Sequence, residues 1–500
     1  MIDPSPKART ANQENTPTQA ATVDRVTMSG ARLTRACAVG VGVLTVAVAA
    51  ACGQASHPPA HAPSAAAPSA SAPVSIPATP PQAVVPEGYF TRVSDLVNAD
   101  IAAHRLPGAV VQVGHGGKIV FRRAFGDRKL AGEPGLDGSA SPAEPMTEDT
   151  VFDLASLTKI LVTTTAVLQL VEQGKVAIDE PVQTYLPEFN SANDPRRAQV
   201  TLRMLLTHTS GIGGDLSHQG SWGVVAADKA DGIHRALTEP LEFGPGETFH
   251  YSDIGFIILG TLVEKFTGEP LDVYAHDNIF APLGMADTRY LPAAKVCGPH
   301  QIIGNAVAFD PTEPRIAGCP ADSWSTDLLA RIAPTARDED TPGINPDFDR
   351  PLRGTVHDPT ARRMGGVAGS AGVFSTVQDV GKYCQALLDR LAGRPSDFPL
   401  KQSTLKLMTT PQQPASVEHA LRGFGWDIDT HQSKPRGLIF PVGSFGHTGF
   451  TGVSMWLDPG TDTYVIVLAN VIHQRGGPPI VTLSGHVATA AAQALHLYGS

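Results

Sequence analysis

Residues 152–163 read FDLASLTKILVT, with Ser156 and Lys159 three positions apart at the head of a nearly unbroken apolar run. On a helix that spacing puts a hydroxyl and an amine on one face, a single turn apart. An amine partly withdrawn from water holds its proton less tightly, so it can accept one from a hydroxyl that sits at the positive end of the helix dipole. A serine nucleophile working without a histidine needs this arrangement. The structural alternative is a capping serine followed by a lysine that reaches out to solvent. Ser-x-x-Lys recurs at Ser403 and Lys406, in KQSTLKLM. There Leu405 and Met408 take the inward positions and Ser403 and Lys406 the wet face of an ordinary amphipathic helix, so that copy is read as structural.

The elements that must position Ser156 are legible on either side of it. Leu157 to Glu172 is apolar on nearly every face and stops at Gly174, the pattern of a buried helix. Thr201 caps a short helix in LRMLLTHTSG, and a longer one, IGFIILGTLVEKFTG, follows directly on Tyr251, Ser252 and Asp253. Towards the N-terminus, YFTRVSDLVNADIAAHRL has helical spacing and GAVVQVGHGGKIVFRRAFG reads as two strands joined at Gly-Gly. Towards the C-terminus, FGWDID, SFGHTGFTGVSMWLDP and TYVIVLAN read as three strands, followed by an Ala-rich helix from about Ser484 to Leu497. The economical architecture is an antiparallel sheet built from both ends of residues 88–500, with flanking helices and a mainly helical inserted region. Residues 291–355, rich in Pro, Asp and Arg, read as an irregular insertion of the size that often walls or covers a site.

The N-terminal portion follows other rules. Arg32 and Arg35 precede ACAVGVGVLTVAVAAAC, a run short for a membrane span and suited to the core of an export signal over residues 1–52, with Met28 as an alternative start. Its end, AAAC before Gly53, resembles the lipobox of bacterial lipoproteins, which would make Cys52 a lipid attachment point. An ordinary signal peptide and a single membrane anchor are the alternatives. Residues 53–86 hold nine prolines among Ala and Ser with no Asp, Glu, Lys or Arg, which is a solvated tether. At ~3.1 Å per residue it would reach roughly 100 Å when extended.

Composition excludes several functions. A formal charge of −10 without a basic cluster in the folded part makes nucleic acid a poor partner, leaving a small molecule or peptide as substrate and a membrane reached through the N-terminus. There is no CxxC pair, HExxH, P-loop or dinucleotide fingerprint, so neither a metal nor a cofactor is expected. No Gly-x-Ser-x-Gly elbow occurs, because Ser370 in VAGSAG has Ala368 where the first glycine belongs. Of the cysteines in the folded part, Cys297 and Cys319 could pair across a Pro-rich loop, while Cys384 sits in a helical pattern as a buried free thiol.

Taken together and in order, FDLASLTK, LLTHTSGI, PGETFHYSDIGFIILG, LGMADT, GGVAGSAGVFST and GHTGFTG resemble the penicillin-recognising serine hydrolases. The nearest look is to class C β-lactamases, D-alanyl-D-alanine carboxypeptidases and family VIII esterases. The resemblance implies an α/β sandwich with a helical subdomain, Ser156 as the acylated nucleophile and Lys159 as its proton partner. By the same motifs Tyr251 is the second base and later the acid for the leaving group. His447, Thr448 and Gly449 form the strand that lines the cleft, and the N–H groups of Ser156 and Phe450 form the oxyanion hole.

Two positions depart from that pattern. Asp253 stands where Asn is usual, so a substrate-facing amide becomes a carboxylate that can instead pair with Lys159 and raise its proton affinity. Amide-bearing β-lactams are therefore expected to bind worse. His447 replaces the lysine common in true β-lactamases and attracts a substrate carboxylate less above its pKa. The expectation is an exported, lipid-anchored serine hydrolase of the cell envelope, acting on an ester or a D-alanyl peptide. The non-enzymatic alternative is a penicillin-binding-like envelope module that has lost turnover, which Asp253 favours.

Overall fold

Gly116 and Gly117, at φ of 57° and 78°, close a two-residue turn that only glycine enters without strain, and the chain doubles back on itself there. The strands it joins are β1 (Gly108–His115) and β2 (Lys118–Lys129), with His115 opposite Lys118. In this computed structural model residues 87–500 are described, apart from 316, 317, 475, 477 and 478. The export signal, Cys52 and the tether lie outside the described residues. Among the described residues no helix is long and apolar enough to cross a membrane.

Six further strands complete one sheet: β3 (Glu144–Pro145), β4 (Leu421–Arg422), β5 (Asp427–Asp429), β6 (Phe445–Gly449), β7 (Val453–Asp458) and β8 (Thr463–Ala469). The order is β4-β5-β6-β7-β8-β1-β2-β3, antiparallel throughout. The two ends of the folded region thus meet in the middle of the sheet, where Val111 lies opposite Val467.

Alternation along these strands divides the core. Val111, Val113, Val465 and Val467 pack with Val93 and Val97 of the Thr91–Ala102 helix and Val487 and Ala491 of the Val481–Ala494 helix. Val110, Ile466 and Leu468 turn the other way, into a core shared with Val380 and Leu387 of the Val377–Leu391 helix and with the inserted helical region. Both faces being covered, β8 is apolar along its whole length, and this β-lactamase/transpeptidase-like α/β sandwich agrees with the architecture read from the sequence.

Three local readings need correction. SFGHTGFTGVSMWLDP is a hairpin, β6 and β7, and not one strand: at Gly452 (φ 113°) a Cβ would lie 2.8 Å from the Ala469 carbonyl, so the chain turns against β8. Alternation continues through both halves, which hides the turn. The buried helix begins at Lys159, with Lys159–Thr164 wound as a π-helix before Thr165–Glu172, and Ser156 lies in the turn ahead of it. The last helix starts at Val481 rather than near Ser484.

The 291–355 insertion is less irregular than its composition suggests. His300–Ile303 pairs with Ala306–Phe309, and Val296–Cys297 runs parallel to Trp324–Ser325. Cys297 and Cys319 form a disulfide, while Cys384 is free and buried. Two ion pairs in its interior, Arg362 with Asp338 (2.7 Å) and Arg363 with Asp340 (2.6 Å), tie this wall to the rest of the domain.

Candidate active site

The strand Phe152–Asp153 pairs with Val373–Ser375 and then breaks sharply: Ala155 sits at φ 45°, and Ser156 follows, half-buried, in the corner of the turn. The Asp153 carboxylate holds this corner by accepting the Ala155 N–H at 2.9 Å. Strand β6 closes on the same corner, since a Cβ on Gly449 would lie 2.6 Å from the Leu154 carbonyl and 3.2 Å from the Ala155 Cβ. Glycine is therefore required there, and the approach sets the chain at Phe450 beside the Ser156 turn.

Lys159 is fully buried, and its ammonium has three partners: it donates to Ser156 Oγ at 3.0 Å and to the Ser370 carbonyl at 2.9 Å, and it forms an ion pair with Asp253. Three hydrogens with three acceptors leave no lone pair to aim at Ser156. Burial alone would loosen its proton, but Asp253, assisted by Tyr251, outweighs burial and the net shift is upward. The partly desolvated, proton-accepting lysine expected from the local sequence is thus a permanent cation here.

Tyr251 directly precedes the Ser252 cap of the Asp253–Thr267 helix; the cap's Oγ accepts the Gly255 N–H at 3.1 Å. The Tyr251 hydroxyl faces Ser156 and Lys159, and both oppose the rise of its pKa. Its ring stacks on His208 at 4.4 Å between centroids, and the Lys159 Nζ lies 5.1 Å from the ring centre. Burial raises the phenol's pKa, the Lys159 charge opposes this, and the net direction is up, so Tyr251 rests as a neutral hydroxyl. His208 accepts the Ser252 N–H on Nδ1 (3.0 Å), which fixes its proton on Nε2, and burial keeps it uncharged.

Asp253 does not stand alone. Asp215, on the loop whose Gly213 and Gly214 carbonyls accept Ser252 Oγ–H (2.7 Å) and Asp253 N–H (2.8 Å), carries its carboxyl towards Asp253 while its outer side meets solvent. Withdrawal from water and then the Asp253 charge push Asp215 upward. Asp358, N-cap of the Pro359–Arg363 helix, faces the same group and is raised to about 6 by burial and Asp253.

On the facing wall, His447 lies buried in β6 with Nδ1 donating to the Thr448 carbonyl at 2.7 Å. Its Nε2 is left as an acceptor with no protein partner among the described residues. Burial, Arg422 and Lys159 hold its pKa well below the ordinary value, so it presents a neutral acceptor rather than a cation. Ser156, Tyr251, Lys434, His447, Thr448 and Phe450 line one open cleft of about 380 Å³. The Phe450 ring, 73% exposed, stacks on His357 at its rim.

The structure brings Ser156, Tyr251, His447, Thr448 and Phe450 together at this cleft, with Lys159 and Asp253 paired behind Ser156 and Gly449 in the strand of its wall; Cys52 lies outside the described residues. Ser403 and Lys406 are exposed on the Gln402–Met408 helix, away from it. Asp153, His208, Asp215 and Asp358 were not singled out. His208 lies within the quoted block LLTHTSGI and Asp153 within FDLASLTK, so their motifs could have flagged them, whereas Asp215 and Asp358 reach the site only through tertiary packing.

With this geometry in view, likeness to known proteins is informative. The chain is 31% identical to a protein of Escherichia coli (strain K12) named "Putative D-alanyl-D-alanine carboxypeptidase", over 72% of this chain and 78% of that one. It is 32% identical to the N-acetylmuramyl-L-alanine amidase of Bacillus subtilis (strain 168), over 76% of this chain and 81% of that one. Among solved structures, simvastatin synthase (LovD) from Aspergillus terreus superposes with a TM-score of 0.58 at 22% identity, covering 81% of this chain and 98% of that one. A class C beta lactamase gives 0.54 at 18%, over 81% and 98%. These two likenesses speak to the fold alone. The family model described as Beta-lactamase matches residues 93–478, and the chain belongs to that family.

Proposed function

We propose that the protein is a serine hydrolase that forms an acyl-enzyme on Ser156 and cleaves an amide or ester of a D-alanyl or related alanyl substrate. The observation behind this reading is that Ser156 Oγ accepts from a locked ammonium, Lys159, and faces a neutral phenol, Tyr251. Ser156 Oγ attacks the substrate carbonyl carbon while its proton passes to the Tyr251 oxygen and the phenol's own proton passes to the leaving group. The Lys159 charge steadies negative charge on the Tyr251 oxygen in transit, so no prior ionisation of the phenol is needed. The carbonyl oxygen is received by the N–H groups of Ser156 and Phe450. Water then cleaves the acyl-enzyme by the same relay, its proton going to Tyr251 and the phenol's to Ser156 Oγ.

The names of two relatives, a D-alanyl-D-alanine carboxypeptidase and an N-acetylmuramyl-L-alanine amidase, support an alanyl amide in preference to a β-lactam. Asp253 supports the same choice, because a carboxylate engaged with Lys159 and Asp215 cannot donate to the side-chain amide of a penicillin. The test is turnover: a D-alanyl-D-alanine peptide, an N-acylated L-alanine amide, a short nitrophenyl ester and a penicillin are compared at equal concentration. Turnover of an alanyl amide with slow penicillin turnover supports the reading, and preferred penicillin turnover contradicts it. Asp253 also favours a second reading, an envelope binding module without turnover, which silence with all four reagents would support. Export and lipid attachment at Cys52, argued from the run that ends in AAAC, complete the proposal and place the domain on a tether at the cell envelope.

A further inference from the structure

Asp153 is 2% exposed, and among the described residues no cation forms an ion pair with it. Its two carboxylate oxygens accept main-chain hydrogens instead: Oδ1 takes Ala155 N–H at 2.9 Å and Oδ2 takes His357 N–H at 2.7 Å. Its own carbonyl accepts the Thr451 hydroxyl at 2.7 Å. Three segments therefore meet on one residue: the nucleophile turn, the stretch leading to the Asp358 cap, and the turn that follows β6 and carries Phe450. Ala155, at φ 45°, occupies a conformation that a residue with a Cβ keeps only when its surroundings impose it.

We propose that Asp153 is a positioning residue for the oxyanion hole, which is assembled only while its carboxylate is ionised and clamps the Ser156 turn to the 357 segment and to the turn after β6. An ionised carboxylate accepts on both oxygens. Once protonated, one oxygen bears a hydrogen that confronts an N–H donor, and one arm of the clamp opens. The inference rests on the acyl-enzyme reading of Ser156.

The loss falls in an accessible range. Burial lifts Asp153 to about 6, with the His357 and Ala155 N–H groups opposing, Asp358 adding and Arg362 opposing. Asp358, facing it, is likewise lifted to about 6. Asp215, against Asp253, is raised to about 8 by withdrawal from water and then by the Asp253 charge, so it marks the upper end of the range and not its acid side. The other groups do not change charge there: His357 is lowered to about 4, His447 and His208 are held well below their ordinary value, and Lys159 and Tyr251 are shifted upward. Asp153 and Asp358 are the two groups to separate.

The experiment measures kcat and KM for a short nitrophenyl ester from pH about 5 to about 8. In the parent, kcat falls about tenfold per unit below pH ~6 while KM stays nearly constant. Asp153→Asn, which keeps one acceptor and cannot ionise, lowers kcat about tenfold at pH ~7.5 and no longer shows the acid fall. Asp358→Asn retains the fall. Should Asp153→Asn fail to fold, Thr451→Val reads the same clamp from the opposite strand, lowering kcat at constant KM with the acid midpoint kept. An acid fall that persists in Asp153→Asn, or vanishes in Asp358→Asn, overturns the proposal, as does a Thr451→Val variant that alters KM alone. Intact mass keeps the two levels apart. No acyl adduct on parent Ser156 removes the acyl-enzyme reading and this inference together, whereas an adduct with an unchanged acid fall in Asp153→Asn removes this inference alone.

Discussion

The Lys159 ammonium and the Asp253 carboxylate form an ion pair directly behind Ser156, with the lysine fully buried and the aspartate side chain 17% exposed. This pair decides the division of labour in the site. On the proposed mechanism, a lysine whose three hydrogens are committed to Asp253, Ser156 Oγ and the Ser370 carbonyl is an electrostatic anchor, and the proton moves through Tyr251. Breaking such a pair from one side is costly, because the other charge is left buried.

The two Ser-x-x-Lys copies give the first prediction. Ser156→Ala abolishes ester and amide turnover, and Ser403→Ala, on an exposed helix face, leaves both as they were. Initial rates of the two variants check this, and equal losses would mean that the nucleophile is elsewhere.

Tyr251→Phe removes the relay while keeping the ring stacked on His208. Acylation is expected to slow by about 10² to 10⁴, the usual range for losing a general acid–base group. A burst experiment isolates that step. A burst of normal rate would take Tyr251 out of the mechanism.

Asp253→Asn exchanges the carboxylate for an amide that can donate to a substrate. It also removes a negative charge that opposes charge on the Tyr251 oxygen. Penicillin acylation is expected to rise about tenfold, the size of one pKa unit of interaction. A fluorescent penicillin followed over time reads the rate, and a decline would show that the ion pair matters more to the geometry than the amide does to recognition.

Stability should fall on acidification below about pH 4.5. Glu144, Asp287 and Asp340 keep pKa values below the ordinary carboxylate range in the fold because Arg353, Arg331 and Arg363 beside them outweigh burial, so protons bind the unfolded chain first and favour it. Between pH ~4.5 and ~6.5 two sets oppose each other: His208, His447 and His357, kept uncharged by burial, favour unfolding on acidification, while Asp153, Asp358 and Asp215, raised by burial, favour the fold. Urea midpoints are expected to drop below pH ~4.5, and a midpoint that holds or rises there would contradict this.

Much of this was legible in the sequence because it depends on local rules. Short apolar runs marked β1 and β8, Gly116 and Gly117 marked the hairpin of β1 and β2, and Ser252 and Thr201 announced helix starts, with Thr201 Oγ accepting the Met204 N–H at 3.3 Å. The pairing of Lys159 with Asp253 could be anticipated from a single substituted motif position. What stayed hidden depends on contacts between distant segments. Nothing near Asp215 or Asp358 in the chain says that both face Asp253, and nothing in FDLAS says that Asp153 will bind the N–H of residue 357. The β6–β7 turn was missed because its flanks keep strand alternation, and only the pressure of Ala469 against Gly452 reveals the fold-back.

The central claim is that Ser156 becomes acylated, and intact-protein mass spectrometry with peptide mapping tests it most directly. The domain is incubated with a nitrophenyl ester, a D-alanyl-D-alanine peptide and a fluorescent penicillin, then quenched in acid. The account predicts a single acyl group on the peptide containing Ser156, absent in Ser156→Ala and slow to form in Tyr251→Phe. An unmodified Ser156 with all three reagents, or an adduct mapped to another residue, would contradict it.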